Sequence, residues 1–375
     1  MNRAPRDHRE AAAGLGRPRP AGHTAHTHAF PGRRPPGARL PALVGAAVFA
    51  LACLAGLAVL VLQLWVRVLV FPWASALALA FAVATCAFGF WILRRIRPVR
   101  PPDTTASAVA TVWGLTAATG TGIVANGGLS GIWNNVLGLE ATGVWGAALT
   151  APVNEELLKL AGIVLVAVIL PHALRGPVDG FVLGALVGLG FEVTENVVYG
   201  FQAITQTGAT APALSVATSA VVRVGLTGLG SHWAMSAVAG TAVGLLAVAG
   251  WRPDRRRAVG AALLVLLAIA QHWLLDAPLF GHGLAAVLVR VALIFGCTMA
   301  VYAVVRHSYR RRVRRALADE GAAVGMRPSA AVALATRQGR RRAAQAVALP
   351  ERPAVVDRQE RILALAEARA ARHEG

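Results

Sequence analysis

The sequence predicts an all-α, polytopic integral membrane protein with about eight transmembrane helices and one further re-entrant or interfacial helix. Hydrophobic residues make up 56% of the 375 residues and charged residues only 15%, and the mean hydropathy is +0.56. Soluble globular domains carry about 25% charged residues, so a soluble fold is excluded. In addition, apolar stretches near the ~20 residues that a helix needs to cross a bilayer recur along the chain.

Eight apolar stretches have the length of a transmembrane helix. They cover residues 41–64, 69–93, 107–126, 146–170, 178–199, 231–249, 258–278 and 284–305. A ninth stretch, 212–229, contains Arg223 and glycines. Such residues are tolerated at membrane depth where they line a protein cavity and not where they face lipid. We therefore expect 212–229 to be the re-entrant or interfacial helix.

The distribution of arginine predicts the direction of the helices. The N-terminal tail, 94–100, 251–257 and the chain from Arg306 onward are basic. No Lys or Arg occurs in three other connecting segments, which are 127–145, 200–211 and 279–283. Because positively charged loops remain in the cytoplasm, the basic segments and both termini are predicted to be cytoplasmic and the other segments to face outward. This assignment requires an odd number of crossings between the outer segment 200–211 and the cytoplasmic segment 251–257, so 212–229 should not cross completely.

The two tails supply most of the net charge of +19. Residues 1–40 contain eight Arg and two acidic residues, and residues 306–375 contain sixteen Arg and seven acidic residues. The basic charge thus flanks the apolar body, and no nucleic-acid partner is expected. We predict a disordered cytoplasmic tail over 1–40, a transmembrane domain over 41–305, and an Arg/Ala-rich cytoplasmic tail over 306–375. A weak helix over 357–373 would be held near anionic lipids by its charge.

The ionisable side chains within the apolar stretches are few and clustered. Each costs at least about 2.5–3.5 kcal/mol to insert, so each is a functional candidate. Glu155, Glu156 and Lys159, the only lysine of the chain, lie within one stretch. Glu155 and Lys159 are four residues apart and can pair on one helix face. A structural ion pair would account for these two residues but not for Glu156.

Further ionisable groups occur in the stretches that follow, and they are Glu192, Glu195, His232, His272 and Asp276. Glu192 and Glu195 are three residues apart, and His272 precedes Asp276 by one helical turn. With a rise of ~1.5 Å per residue and the directions above, all these groups lie in the outer half of the bilayer. They can therefore converge with Glu155 on one site.

Carboxylates and imidazoles in an apolar pocket can activate water. A carboxylate in low dielectric has a raised proton affinity and can act first as general base and then as general acid. An imidazole or amide can stabilise the oxyanion of an attacked carbonyl. Glutamate with two histidines is also the ligand set of a catalytic zinc. The zinc signature His-Glu-x-x-His is absent from the sequence, so zinc and metal-free mechanisms both stay open.

The order of these motifs resembles that of the PrsW family of bacterial intramembrane proteases, relatives of the CAAX-processing and bacteriocin-processing membrane proteases. The resemblance covers roughly residues 145–280, the motif core. The matching residues are the Glu-Glu-x-x-Lys helix (Glu155, Glu156, Lys159), the Gly-x-Gly-Phe-x-x-x-Glu-Asn-x-x-Tyr span (Glu195, Asn196, Tyr199), Arg223 with His232 and Gly240, and His272 with Asp276. Glu192 departs from the small residue expected there, and the C-terminal tail has no counterpart.

The resemblance implies a peptidase that cleaves membrane-anchored proteins, including anti-sigma factors, near the outer face of a bacterial cell membrane. Glu155 and Glu156 would activate water, and Lys159 would tune their charge. Glu195 would be a second acid/base or a ligand, and His232 and His272 would be oxyanion stabilisers or metal ligands. Asn196 and Asp276 would orient the histidines. The candidate ligands of a metal, for which zinc is the candidate, are Glu155, Glu195, His232 and His272.

Other functions have some support in the sequence. Gly128-Leu-Ser130-Gly131 matches the rhomboid Gly-x-Ser-Gly nucleophile pattern, but it lies in a predicted outer loop, and a chain with 39 glycines contains such tetrapeptides by chance. Intramembrane Glu, His and Lys also form proton relays in proton-coupled transporters, or they can stabilise a non-catalytic receptor or scaffold. We find no convincing internal repeat of the kind many transporters have. The sequence does not define the oligomeric state.

Overall fold

The structure is a computed structural model that describes residues 39–281 and 283–372, and it confirms the all-α prediction. The tail predicted to be disordered over 1–40 lies outside these residues, except for Arg39 and Leu40, which begin the first helix. The α-helices are α1 Arg39–Val70, α2 Pro72–Ile96, α3 Thr104–Trp113, α4 Thr119–Leu137, α5 Leu139–Ile169, α6 Pro177–Gln206, α7 Pro212–Ala220, α8 His232–Val248, α9 Arg255–Asp276, α10 Leu284–Ala323, α11 Pro328–Ala333, α12 Arg337–Gln345 and α13 Arg352–Arg372.

The described residues contain seven helical segments that are long and apolar enough to cross a membrane. They are Leu40–Val70, Pro72–Ile96, Thr104–Leu137, Pro177–Gln206, Pro212–Val248, Arg255–Asp276 and Leu284–Ala323. Helix α5 also has the length of a span, but Glu155, Glu156 and Lys159 interrupt its apolar sequence. The protein is therefore a multi-pass membrane protein, and the number of eight crossings stays a prediction.

The segment 127–145, predicted as an outer loop, is helical almost throughout. A π-helical turn, Gly114–Ala118, joins α3 to α4, and α4 continues to Leu137. Helix α5 begins at Leu139 after Gly138, whose φ of +83° allows the abrupt change of direction. The predicted helix 107–126 is thus too short. The polar and glycine residues that follow it, 127–137, continue the helix instead of ending it.

Residues 212–249 form one nearly continuous helical segment. The π-helical Val221–Thr227 and the 3-10 turn Gly228–Gly230 join α7 to α8. Single π-helical turns in proteins occur frequently at functional sites. Here the irregular segment ends immediately before His232, the first residue of α8.

The chain divides into two compact units. One unit covers Ala38–Arg97 and Pro101–Ala303, and the other contains Pro98–Arg100 and Val304–Gly375. The first unit contains all the motifs described above. Its central helix is α6, whose side chains Phe181, Leu183 and Leu186 are completely buried.

Helices α6 and α8 approach each other closely at glycines. A Cβ at Gly184 would lie 2.1 Å from the carbonyl oxygen of Ser236, and a Cβ at Gly188 would lie 2.3 Å from that of His232. Only glycine allows backbones to approach at these distances. The contact at Gly188 therefore fixes the position of His232 relative to α6.

The second unit is helical, and the helix predicted over 357–373 is present in it as α13, Arg352–Arg372. Leu317, Leu334 and Leu363 are buried in it. Glu367 of α13 accepts hydrogen bonds from Arg100 and from the Tyr309 hydroxyl, the latter at 2.5 Å. Buried leucines and alanines thus alternate with exposed arginines along these helices, a pattern that overall composition conceals.

Candidate active site

Glu155, Glu156 and Lys159 are buried near the middle of α5. The Nζ atom of Lys159 lies 2.9 Å from Oε1 of Glu156 and 3.5 Å from Oε2 of Glu155. It also lies 2.8 Å from Nδ1 of His232, and 4.0 Å from the centre of the Phe191 ring. One ammonium group thus serves two carboxylates, so with both carboxylates ionised the trio would carry one negative charge that a bound cation could neutralise.

His232 lies at the first position of α8, where the preceding turn is fixed by Trp233. The indole Nε1 of Trp233 donates a hydrogen bond of 2.6 Å to the carbonyl of Gly228. The two imidazole nitrogens of His232 face groups of opposite charge type. Nε2 lies 2.9 Å from Oε2 of Glu195, whereas Nδ1 faces Lys159 and lies 3.9 Å from Oε2 of Glu155.

His272 lies on α9 and shows a similar arrangement. Its Nδ1 lies 3.0 Å from Oε1 of Glu156, while its Nε2 lies 3.7 Å from Oε2 of Glu155 and 3.5 Å from Oδ2 of Asp276. In a neutral imidazole with Nδ1–H donating to Glu156, the lone pair of Nε2 faces Glu155. Glu156 therefore makes the short contact that orients His272, and Asp276 lies on the opposite side of the ring.

Glu155, His232 and His272 form a group that could hold a metal ion. Each offers one ligand atom, these atoms lie within 4.8 Å of one another, and all three residues are buried. Each histidine also contacts a second carboxylate through its other nitrogen, the arrangement usual for metal-binding histidines. Glu195, the fourth candidate ligand from the sequence, is the carboxylate behind His232 and not a member of this group.

Glu195 is paired with Arg223, which extends from the π-helical segment. Nη2 of Arg223 binds Oε2 of Glu195, and Nε donates a 2.6 Å hydrogen bond to Oδ1 of Asn196. The guanidinium lies 3.9 Å from the centre of the Tyr199 ring. Asn196 therefore orients Arg223 and contacts neither candidate histidine.

A cavity of ≈ 420 Å³ lies beside this cluster. Glu155, Glu195, His232, His272 and Asp276 line it, whereas Glu156, Lys159 and Asn196 do not. The cavity is of the size that binds ligands in other proteins. The predicted site residues are thus brought together in two groups. One group lines the cavity and could contact a bound molecule, and the other lies behind the cavity wall.

Two polar residues at the cavity were missed by the sequence reasoning. Nδ2 of Asn126 donates a 2.8 Å hydrogen bond to Oε1 of Glu155 and therefore orients this carboxylate. Arg290 lines the cavity from α10. Asn126 is uncharged and gives no signal in a search for ionisable groups. Arg290 is an arginine within the predicted span 284–305 and could have been found by the rule that found Glu155.

Glu192 and Ser130 also lie near the cluster. Glu192 is buried beside the turn before His232, with its Oε1 3.6 Å from the position of a Cβ on Gly228. Glu192 does not line the cavity, and we assign it no role. Ser130 does line it, from α4. No hydrogen bond joins Ser130 to a histidine or carboxylate among residues 39–281 and 283–372.

The part of the chain that forms this cluster matches one known protein family. A family model described as PrsW family intramembrane metalloprotease matches residues 102–305, which is more than half of the chain. The matched part contains every residue of the cluster and of the cavity described above. No curated protein and no solved structure matches the chain.

Proposed function

Since this chain belongs to the PrsW family of intramembrane metalloproteases, a family of peptidases, we propose that it hydrolyses peptide bonds of membrane-anchored proteins near the outer face of a bacterial cell membrane. Single-pass proteins such as anti-sigma factors are the proposed substrates. The observation that carries the proposal is the convergence of Glu155, His232 and His272 on one point of a cavity within an apolar helical body. A transporter has no comparable support.

Glu155, His232 and His272 would hold the metal, for which we propose zinc because two histidines and a carboxylate form a common catalytic zinc site. When bound, the ion would polarise the scissile carbonyl and lower the pKa of a water molecule. The donor set fits such an ion, and the excess negative charge of the α5 trio favours it. Lys159 now contacts Nδ1 of His232, so ligation through that nitrogen would replace this contact.

We propose that Glu195 transfers the proton. Its Oε2 is occupied by His232 and Arg223, whereas Oε1 has no hydrogen-bond partner among the described residues. The side chain is 15% exposed, and it lines the cavity. We assign to Glu195 Oε1 the uptake of a proton from the attacking water and its return to the leaving amine, a general acid/base role.

The residues behind the cavity position those that line it. Glu156 holds Nδ1 of His272, and Lys159 neutralises Glu156. The resemblance implies that Glu155 and Glu156 activate water together, whereas in this proposal Glu155 holds the metal and Glu156 acts through His272. Asp276 lies 3.5 Å from Nε2 of His272 and borders the cavity, where it can hold the substrate or water.

Zinc content and cleavage, measured together on two variants, test this assignment. The full chain is reconstituted in membranes with tagged single-pass membrane proteins of the same organism. The variants are Glu155→Gln and Glu195→Gln, and the control is Glu140→Gln, an exposed glutamate in the first turn of α5. We expect Glu155→Gln to lose both zinc and cleavage, because a ligand is removed.

Glu195→Gln should still bind zinc at saturation, while its cleavage rate falls by roughly 10²–10⁴-fold because the proton acceptor is lost. Glu140→Gln should match the wild type in both measurements. Cleavage that survives complete removal of metal by a chelator would contradict the metal role and leave Glu155 as the water-activating base. Full activity of Glu195→Gln would place the proton transfer on another residue.

A further inference from the structure

Arg290 enters the cavity from the second turn of α10 and is held by backbone carbonyls. Its Nη1 donates to the carbonyl oxygens of Leu275 at 2.9 Å and Ala277 at 2.8 Å, and its Nε contacts that of Ala286 at 3.3 Å. Two of these carbonyls lie at the C-terminal end of α9, one turn beyond His272. The guanidinium is therefore fixed in orientation beside the cluster.

The positive charge of Arg290 has no acidic partner in the part of the chain that the structure describes. A guanidinium carries five N–H donors, and the contacts above leave the two on Nη2 without an acceptor in residues 39–281 and 283–372. No carboxylate of these residues lies within 4 Å of it. The other arginine of the cavity, Arg223, differs because it is paired with Glu195. Arg290 is thus an oriented, unneutralised cation at a cavity wall.

An unneutralised charge within the membrane raises the free energy of the protein. A carboxylate is well suited to neutralise the guanidinium of Arg290. Hydrogen bonds between a guanidinium and a carboxylate are charge-assisted and roughly twice as strong as neutral ones. Because the three carbonyls already hold the side chain, little rotamer freedom would be lost on binding. The geometry therefore favours an anionic group of a bound molecule at Nη2.

We propose that Arg290 is a specificity-determining residue that binds an Asp or Glu side chain of the substrate near the scissile bond. This proposal rests on the proposed function, since it concerns the substrate of the same cavity. Arg290 lies six residues, or ~9 Å, from the start of α10 at Leu284. In the predicted topology, that position lies in the outer half of the bilayer, away from the bilayer centre, where a substrate carboxylate is most costly to place.

Binding of charged and uncharged peptides tests the proposal without requiring hydrolysis. The full chain carrying Glu155→Gln is placed in lipid nanodiscs with fluorescent single-span peptides of alanine and leucine. In each peptide, a single position in the outer third is substituted by Glu, Gln or Lys, and the substituted position is varied from peptide to peptide. We expect the Glu peptide to bind about tenfold more tightly than the Gln peptide at one or two neighbouring positions.

Arg290→Gln in the same background should abolish this preference, and Arg290→Glu should reverse it in favour of the Lys peptide. The control Arg255→Gln, an exposed arginine at the start of α9, should keep it. Equal binding of Glu and Gln peptides at every position would overturn the proposal, as would a Glu preference that survives Arg290→Gln.

If Arg290 only caps α9, Arg290→Gln would lower the melting temperature and weaken all peptides alike, which also contradicts the proposal. Reversal of preference by Arg290→Glu is an outcome that a structural role cannot produce. Since the binding assay does not depend on cleavage, a failure of the proposed protease activity would be seen separately.

Discussion

The contact between Gly188 and His232 allows the effect of one methyl group on the site to be worked out. In Gly188→Ala, the new Cβ would lie 2.3 Å from the carbonyl oxygen of His232 and 2.7 Å from Cα of Trp233. These are backbone atoms and cannot rotate away. Restoring a separation of 3.0 Å requires α8 to move from α6 by about 0.7 Å or more, because overpacked cores shift their backbone.

This displacement would move His232 relative to Glu155 and Lys159, which belong to α5. Misplacement of a catalytic group by ~1 Å can cost about 10²-fold in rate, so we expect kcat/KM to fall by on the order of 10²-fold. Overpacking should also destabilise the protein by about 1–3 kcal/mol. The measurements are steady-state cleavage of a tagged single-span substrate and the thermal unfolding temperature, both in reconstituted membranes.

Gly260→Ala on α9 is the matched control, because a Cβ there meets nothing within 4 Å. It should keep full activity and gain slightly in helix stability. If Gly188→Ala retained cleavage within about threefold of the wild type and an unchanged unfolding temperature, the reasoning that this glycine contact positions His232 would be refuted.

Three other variants test separate parts of the site. Asn126→Leu removes the donor to Oε1 of Glu155, and we expect zinc affinity and cleavage to fall by roughly 10–100-fold; an unchanged zinc titration would contradict this. Lys159→Met leaves Glu156 buried without its cation, which should cost about 3–5 kcal/mol in unfolding measurements. The double variant with Glu156→Gln should recover part of that loss, and no recovery would refute the pairing. Ser130→Ala should leave cleavage intact, and complete loss would favour a serine mechanism.

The ionisable residues of the site could be predicted from the sequence, because a charged side chain is costly to insert into a membrane and is therefore rare there. Glu155, Glu156 and Lys159 are conspicuous because so few ionisable groups interrupt the apolar stretches, and His232 and His272 were linked to them by helix length and direction. The structure brings these residues into contact. The proposed division into metal ligands, a proton carrier and positioning residues was not predictable, because it depends on which atom each side chain presents.

Other features of the structure cannot be recognised in the sequence. An amide costs far less to insert into a membrane than a charge, so Asn126 does not stand out in the sequence. Its contact with Glu155 is seen only in the packing of α4 beside α5. The helical continuation through 127–137 was missed because its glycines and asparagines predict a loop, whereas α4 continues to Leu137. In the C-terminal unit, the helix predicted over 357–373 is present as α13, but the burial of its Leu363 could not be deduced from an Ala- and Arg-rich composition.

The central claim is that the group around Glu155 hydrolyses peptide bonds, and its most direct test is a comparison of the fragments formed by the wild type and by Glu155→Gln. Both proteins are reconstituted with the same panel of tagged single-pass membrane proteins, matched for unfolding temperature, and the products are identified by mass. We expect a defined cleavage within or beside the outer part of a substrate span, formed by the wild type alone. Equal cleavage by both proteins would remove Glu155 from the chemistry, and no cleavage of any substrate would contradict the proposed function.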